Sequence, residues 1–323
     1  MKMLDLSAEY VAMLQSSMAR PEARTFALSR LEVTLSSIGI DPLCRRDILQ
    51  LLMMLVRDRQ ISKQELGTAM ADFGRRWRTH LDRAYLRDYE STRWEFFRKF
   101  VFGKLPGTLG RCLDIGCGRG CVTASVVHQG VATEAVGIDE ADFGNEWRER
   151  LAEYPSNLRF QHVAITDIGK WTLSNGKFDT ILLFYVLHHS CDYWSARTLD
   201  SISSALKENG RLVILEDSLV EGMPAAEDGH QLCKQWATWM SASPSYILSV
   251  GYDVQVILDF VAVQLLARFS AVQMPCNYKT SKAWVEQFDR LGYEVSAVEN
   301  IGFPAGRDID VPQGLFILKQ RRS

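Results

Sequence analysis

The sequence predicts an α/β fold: a mostly parallel sheet with helices on both faces, preceded by a helical region and interrupted by a helical insert. Three features of its texture carry this reading. From Ala8 to about Gly103 the apolar residues recur at helical spacing, as in Leu31, Leu35 and Ile38, then Ile48, Leu51, Leu52 and Leu55. After Pro106, short runs rich in Val, Ile and Leu alternate with helical segments, the pattern of βαβ units. Between Leu219 and Tyr278 the period turns helical again. The 323 residues therefore divide into a helical cap over residues 1–104 and a sheet domain over 105–323, with a helical insert at about 220–278.

Taken in order, Pro21 and Pro42 punctuate the first hundred residues into four or five helices. The buried-strand runs are then Arg111 to Ile115, Ala135 to Asp139, Leu158 to Ile165, Phe178 to Leu183 and Arg211 to Leu215. In the insert, Trp236 and Trp239 share one helical segment, and Val254 to Phe269 forms another. That last stretch is broken by Asp259, Gln264 and Arg268, so a membrane span is not expected. A helix from Ser281 to Leu291, a strand near Glu294 to Val298 and a strand from Leu315 to Lys319 follow.

Composition narrows the partners. Thirty-seven Lys and Arg against 39 Asp and Glu leave a net charge of −2, so no global field draws the chain to nucleic acid or an anionic bilayer. Seven scattered Cys do not suit a disulfide framework and fit a reducing compartment. Cys112, Cys117 and Cys121 lack zinc-site spacing, so no metal is expected. Asp5, Glu9 and Arg20 interrupt the first twenty residues, which argues against a secretory signal and for a cytoplasmic location. Composition leaves the oligomeric state open.

The chemistry concentrates in Leu113-Asp114-Ile115-Gly116-Cys117-Gly118-Arg119-Gly120, a glycine turn between a strand and a helix beginning near Val122. Gly116 and Gly118 let the backbone turn tightly beside a ligand. Asp139 ends the next strand, nineteen residues past Gly120, where a carboxylate can accept bonds from both hydroxyls of a ribose. The glycines are two apart, which is not the dinucleotide spacing. A carboxylate at Asp114 would repel a pyrophosphate and tolerate a cation.

In these residues the chain resembles the class I S-adenosylmethionine (SAM) dependent methyltransferases. LDIGCGRG resembles that family's first motif and VGIDE its second. FQHVAITDIG contains the Asp, here Asp167, that often approaches adenine. FDTILLFYVLHHS is similar to the fourth strand with its Leu-His-His turn, and LKENGRLVILEDS to the fifth strand. The resemblance covers about residues 105 to 220, with a weaker echo in SKAWVEQFDRLGYEV. It implies a Rossmann-like sheet and SAM held by Asp114, Gly116, Cys117, Gly118, Asp139, Asp167 and Ile168. The end of the fourth strand would bring Phe184 and Tyr185 beside the sulfonium.

Around that centre, a His of ordinary pKa near 6.5 is the natural base for a hydroxyl acceptor, and His189 is the candidate, with a structural role for His188 and His189 as the alternative. Glu216 and Asp217 end the fifth strand on opposite sides, and Asp217 is taken to face the acceptor. Tyr85, Tyr89 and Arg93, at i, i+4 and i+8, would share a helix face that closes over SAM, with Arg93 reaching its carboxylate. Trp236, Trp239, Phe260 and Phe269 could line an acceptor pocket or serve as core. Asp259 should face solvent, pair with Arg268 or another base, or bind a cation.

The expected activity is methyl transfer to a small-molecule acceptor. Crowding by Phe184 and Tyr185 keeps a second activity open: intramolecular cyclisation of SAM to an azetidine amino acid with release of methylthioadenosine. A non-catalytic SAM-binding partner subunit is the third reading.

Overall fold

A computed structural model describes residues 6–57, 61–153, 156–219, 244–268, 274–302 and 313–321, with the side chains of 87–92, 192–194, 244–248, 300 and 302 outside the description. The chain groups into two compact units. One comprises Met1–Thr92, Leu219–Tyr278 and Gly302–Pro312; the other comprises Arg93–Ser218, Lys279–Ile301 and Gln313–Ser323. The sequence-based boundary at residue 104 thus falls inside the second unit. The cause is the apolar face of the helix just before the sheet: Phe97 stacks on Phe184 of the fourth strand, centroids 5.6 Å apart. The expected insert groups with the N-terminal helices.

The helical unit holds α1 (Ala8–Ala19), α2 (Pro21–Ser37), α3 (Pro42–Arg57) and α4 (Lys63–Arg83). Ser62 and Glu65 form a reciprocal capping box at the start of α4, satisfying two otherwise orphaned backbone donors. A π-helical turn over Ala84–Tyr89 follows, then α5 (Glu90–Phe100). The added residue per turn breaks the 3.6 period on which a shared face for Tyr85, Tyr89 and Arg93 depended.

Five parallel strands form the centre of the second unit: β1 (Arg111–Ile115), β2 (Glu134–Asp139), β3 (Leu158–His162), β4 (Phe178–Phe184) and β5 (Leu206–Leu219). The intervening helices are α6 (Cys121–His128), α7 (Gly144–Glu153), α8 (Ile168–Asn175) and α9 (Asp192–Ala205). In the helical unit α10 (Pro244–Asp259) runs into a π-helical stretch over Phe260–Leu266. Ser249–Leu266 is long and apolar enough to cross a membrane by length and composition, but 78% of it is buried within the protein, as in a core helix. The chain then adds β6 (Lys279–Thr280), α11 (Ser281–Arg290), β7 (Tyr293–Gly302) and β8 (Gln313–Gln320) to the sheet unit.

Strand order is β3-β2-β1-β4-β5-β8-β7, with β6 pairing β5 and β8 antiparallel to β5. The direction of winding reverses between β1 and β4, the point where open α/β sheets bind ligands. Both faces of the sheet are buried, which is why its strands read as unbroken apolar runs. Leu113, Ile115, Ile181, Leu183, Leu212 and Ile214 pack against α8, α9 and α11; Cys112, Leu182, Phe184, Val213 and Leu215 pack against α5 and α6.

Candidate active site at the reversal of the sheet

At the end of β1 the chain turns through Gly116, whose φ of +70° lies in the left-handed region. A Cβ there would stand 2.5 Å from Cγ2 of Val186, just past β4. The loops after β1 and β4 therefore touch, and Gly116 is a packing element as much as a ligand surface. The N–H groups of Gly116 and Cys117 both donate to Ile138 O, at 2.9 and 3.1 Å, and Gly120 N donates to Cys117 O at 2.9 Å. Gly118 N donates to Asp139 Oδ2 at 2.8 Å. All four amides are consumed within the loop and β2, where a pyrophosphate would need them pointing outward. The indole of Trp147 fixes the turn from outside, donating to Gly118 O at 2.8 Å while stacking on Phe160 at 5.4 Å. The sequence reading missed Trp147; the signal was a large apolar residue in the otherwise polar run NEWRERLAE of α7.

Asp139 ends β2 with each carboxylate oxygen accepting one backbone N–H, from Gly118 and from Ala141, both at 2.8 Å. Each oxygen keeps a further lone pair, the arrangement that two ribose hydroxyls require. Burial raises its pKa, against the lowering effect of those two N–H bonds. Asp114 is 3% exposed, and its Oδ2 accepts the Thr123 hydroxyl at 2.6 Å. Burial pushes its pKa up to about 7, opposed by the bonds from Thr123 and aided by the charge of Asp139. A cationic ligand group would stabilise the ionised form; an anion would not. These residues fit SAM, with its ribose and methionyl ammonium, better than a dinucleotide.

Past β4, Tyr185 takes φ +58°, strained for a bulky residue, while its N–H donates to Leu215 O at 2.8 Å. Its hydroxyl donates to Gln313 Oε1 at 3.0 Å, and the Arg93 guanidinium lies 5.3 Å from its ring centroid. The cation on the ring is Arg93. Phe184 is buried beneath Phe97 and Phe102. Tyr85 packs in the core of the helical unit, and Arg93 lies over Tyr185 and Phe97 in the sheet unit. The side chain of Tyr89 lies outside the described residues.

The β5 pair resolves differently from the expectation. Glu216, fully buried, turns to the β4 loop: its Oε1 accepts Val186 N at 2.8 Å and Leu187 N at 2.6 Å, and its Oε2 lies 2.6 Å from His188 Nδ1. Asp217 alternates onto the face of Val213 and Leu215, in register with Gln313. The carboxylate that meets the β4 turn is Glu216, because the amides of that turn need an acceptor and that side of the strand reaches them. His188 is 1% exposed, with its ring 4.0 Å from that of His189. Asp167 is exposed, whereas Ile168 is fully buried in the core with α9. Cys117 is held against its own turn, with burial raising its thiol pKa, so it contributes packing rather than chemistry.

The remaining aromatic candidates divide. Phe260 is fully buried beside Tyr10 and serves as core; Trp236, Trp239 and Phe269 lie outside the described residues. Asp259 accepts the Tyr278 hydroxyl at 2.6 Å, and Arg268 pairs with Asp82.

A reversing parallel sheet with a glycine turn at the reversal and a ribose-competent acid on the next strand defines a nucleoside-binding α/β enzyme of the Rossmann-like type. The model of the family described as "Methyltransferase domain" matches residues 85–298, about two thirds of the chain, and the protein belongs to that family of SAM-dependent methyltransferases. Among solved structures it is similar to the mitomycin 7-O-methyltransferase MmcR (TM-score 0.50, 16% identity, covering 95% of this chain and 75% of that one). It is also similar to CalO1, a methyltransferase in calicheamicin biosynthesis (0.49, 13%, 88% and 70%). A third is the 1,6-didemethyltoxoflavin-N1-methyltransferase of Burkholderia thailandensis (0.46, 15%, 81% and 92%). No curated protein matches the sequence.

Proposed function

We propose that this methyltransferase acts on a hydroxyl of a small molecule, with the imidazole of His188 taking up the proton. The observation that carries the reading is the buried His188–Glu216 pair at 2.6 Å, at the turn that follows β4. Oε1 of Glu216 already accepts two amides, so Oε2 is the acceptor for Nδ1–H. With Nδ1 so engaged, Nε2 is the nitrogen that would take up the proton. Bound SAM supplies an electrophilic methyl group. The protein supplies alignment: Asp139 holds the ribose, Asp114 faces the cationic end of the methionyl chain, and the amides clamped by Glu216 fix the turn that carries the base. The mitomycin 7-O-methyltransferase, named for an oxygen on a small molecule, shares the fold and so supports the reading without naming an acceptor.

Incubation of the full chain with SAM and a panel of phenols and alcohols tests this. S-adenosylhomocysteine formed only when an acceptor is present supports it, with His188→Ala slowing that turnover by roughly 10² to 10⁴. Methylthioadenosine formed from SAM alone would refute it in favour of cyclisation, and full turnover by His188→Ala would return the base to His189.

A further inference from the structure

The helical unit contains a group of buried polar side chains that methyl transfer leaves unexplained. On α10, Tyr252, Gln255 and Asp259 stand at i, i+3 and i+7, one stripe along the helix. Tyr278 spans that stripe: its ring meets Tyr252 edge-on at 5.6 Å, and its hydroxyl donates to Asp259 Oδ2 at 2.6 Å. Gln255 therefore lies along the stripe between two residues that Tyr278 touches. It is 2% exposed, and both its amide oxygen and its amide nitrogen are buried without a hydrogen-bond partner among the described residues. The hydroxyl of Tyr10, also 2% exposed, is in the same condition. Buried amide and hydroxyl groups in native proteins almost always have partners, so these three atoms, with Gln264 Oε1 of the same unit in the same condition, need an explanation.

The Tyr10 ring lies 6.5 Å from that of Phe260, the residue that follows Asp259, and burial, first, then Cys276 and Asp259 raise its phenol pKa well above the ordinary value, so its oxygen keeps its proton. Two backbone irregularities flank the group. The helix switches to π geometry immediately after Asp259, with Ala267 N donating to Ala262 O at 2.9 Å, and Cys276 takes φ +54°. π-Helical insertions and strained residues concentrate where proteins bind ligands.

We infer that Tyr10, Gln255, Asp259 and Tyr278 form a small-molecule site that takes a neutral ligand with an amide-like edge, such as a lactam, a carboxamide or an amino-heterocycle. The Gln255 amide offers one donor and one acceptor side by side, the complement of such an edge. Tyr10 adds a hydroxyl, and the Asp259 carboxylate disfavours an anion. All four residues belong to the helical unit.

The test uses the full chain and saturation-transfer NMR with 2-quinolone, a neutral lactam, against 2-naphthoate, an anion of similar size. We expect transfer to 2-quinolone and little to 2-naphthoate. Gln255→Leu should weaken 2-quinolone at least tenfold while leaving the melting temperature unchanged or higher, since it removes polar atoms that lack partners. Tyr10→Phe should weaken it several-fold. No transfer to 2-quinolone, equal transfer to both probes, or a lowered melting temperature in Gln255→Leu would overturn the proposal; the last would mean that ordered water satisfies the amide and its role is structural. SAM affinity measured on the wild type by calorimetry tests the methyltransferase reading separately.

Discussion

If Asp114 faces the methionyl ammonium, SAM binding should be coupled to the loss of a proton near neutrality. In the free protein burial holds this carboxyl protonated up to about pH 7. A bound cation favours the ionised form, and a bound-state pKa near the ordinary ~3.9 would mean that the proton leaves on binding throughout the range between the two values. The direction follows: below about pH 7 a proton must be displaced, so affinity rises with pH, and the gain ends once the free protein is already ionised. With those two values, Kd should tighten about 16-fold from pH 5.5 to pH 7, below the range in which an α-amino group of pKa ~7.7 to 8.0 loses its own proton. Calorimetry in two buffers of different ionisation enthalpy would read both the affinity and the protons released. Asp114→Asn should bind more weakly and with a flat pH profile. An unchanged slope in Asp114→Asn, or no slope in the wild type, would refute the placement of this carboxyl beside the cation.

The same residue makes a prediction for stability. Because its folded pKa lies above its unfolded value, ionisation weakens the folded state progressively from about pH 4 to pH 7, so Asp114→Asn should melt higher than the wild type at pH 8, with the gap closing towards pH 4. At the reversal of the sheet, Gly116→Ala meets both a left-handed φ and Val186 Cγ2. It should destabilise the protein by roughly 1 to 3 kcal/mol in denaturant titrations, with Val186→Ala restoring the steric part only. Removing the carboxylate that clamps the β4 turn, as in Glu216→Ala, strands two amides and an imidazole and should cost about 3 to 5 kcal/mol. Glu216→Gln should retain most of that stability yet lower kcat, and equal kcat in Glu216→Gln and wild type would deny Glu216 a part in orienting His188. Tyr185→Phe loses the bond to Gln313, about 1 kcal/mol, and should keep the Arg93 contact that Tyr185→Leu destroys.

The sheet could be read from the sequence because its strands are buried on both faces and its glycine turn sits between two such runs. Arg111 to Ile115 needed no adjustment, and Asp139 stands at the end of β2 where the motif placed it. Local pattern failed wherever the deciding partner was distant. Alternation states that Glu216 and Asp217 oppose each other but not which one meets a turn thirty residues back. Nothing near Gly116 announces Val186. The i, i+4, i+8 spacing of Tyr85, Tyr89 and Arg93 assumed an unbroken α-helix, and the π turn at Ala84–Tyr89 removes that assumption. Adjacent histidines likewise look equivalent in sequence, and only the carboxylate on β5 distinguishes His188.

The place of β8 in the sheet has a consequence for synthesis. The strand made after all the others described here does not join an edge; it enters between β5 and β7. Until Gln313–Gln320 leaves the ribosome, β5 keeps Leu212–Asp217 without its partner on that side and β7 lacks its neighbour. An open, apolar strand edge invites pairing with another nascent chain. Gln313, which receives the Tyr185 hydroxyl, arrives in the same step, so the strained residue past β4 gains that support only as the sheet closes. Chains released before Gln313 should therefore aggregate rather than accumulate as a smaller, SAM-binding fragment, and pulse-labelled truncation series would show binding competence appearing together with this strand.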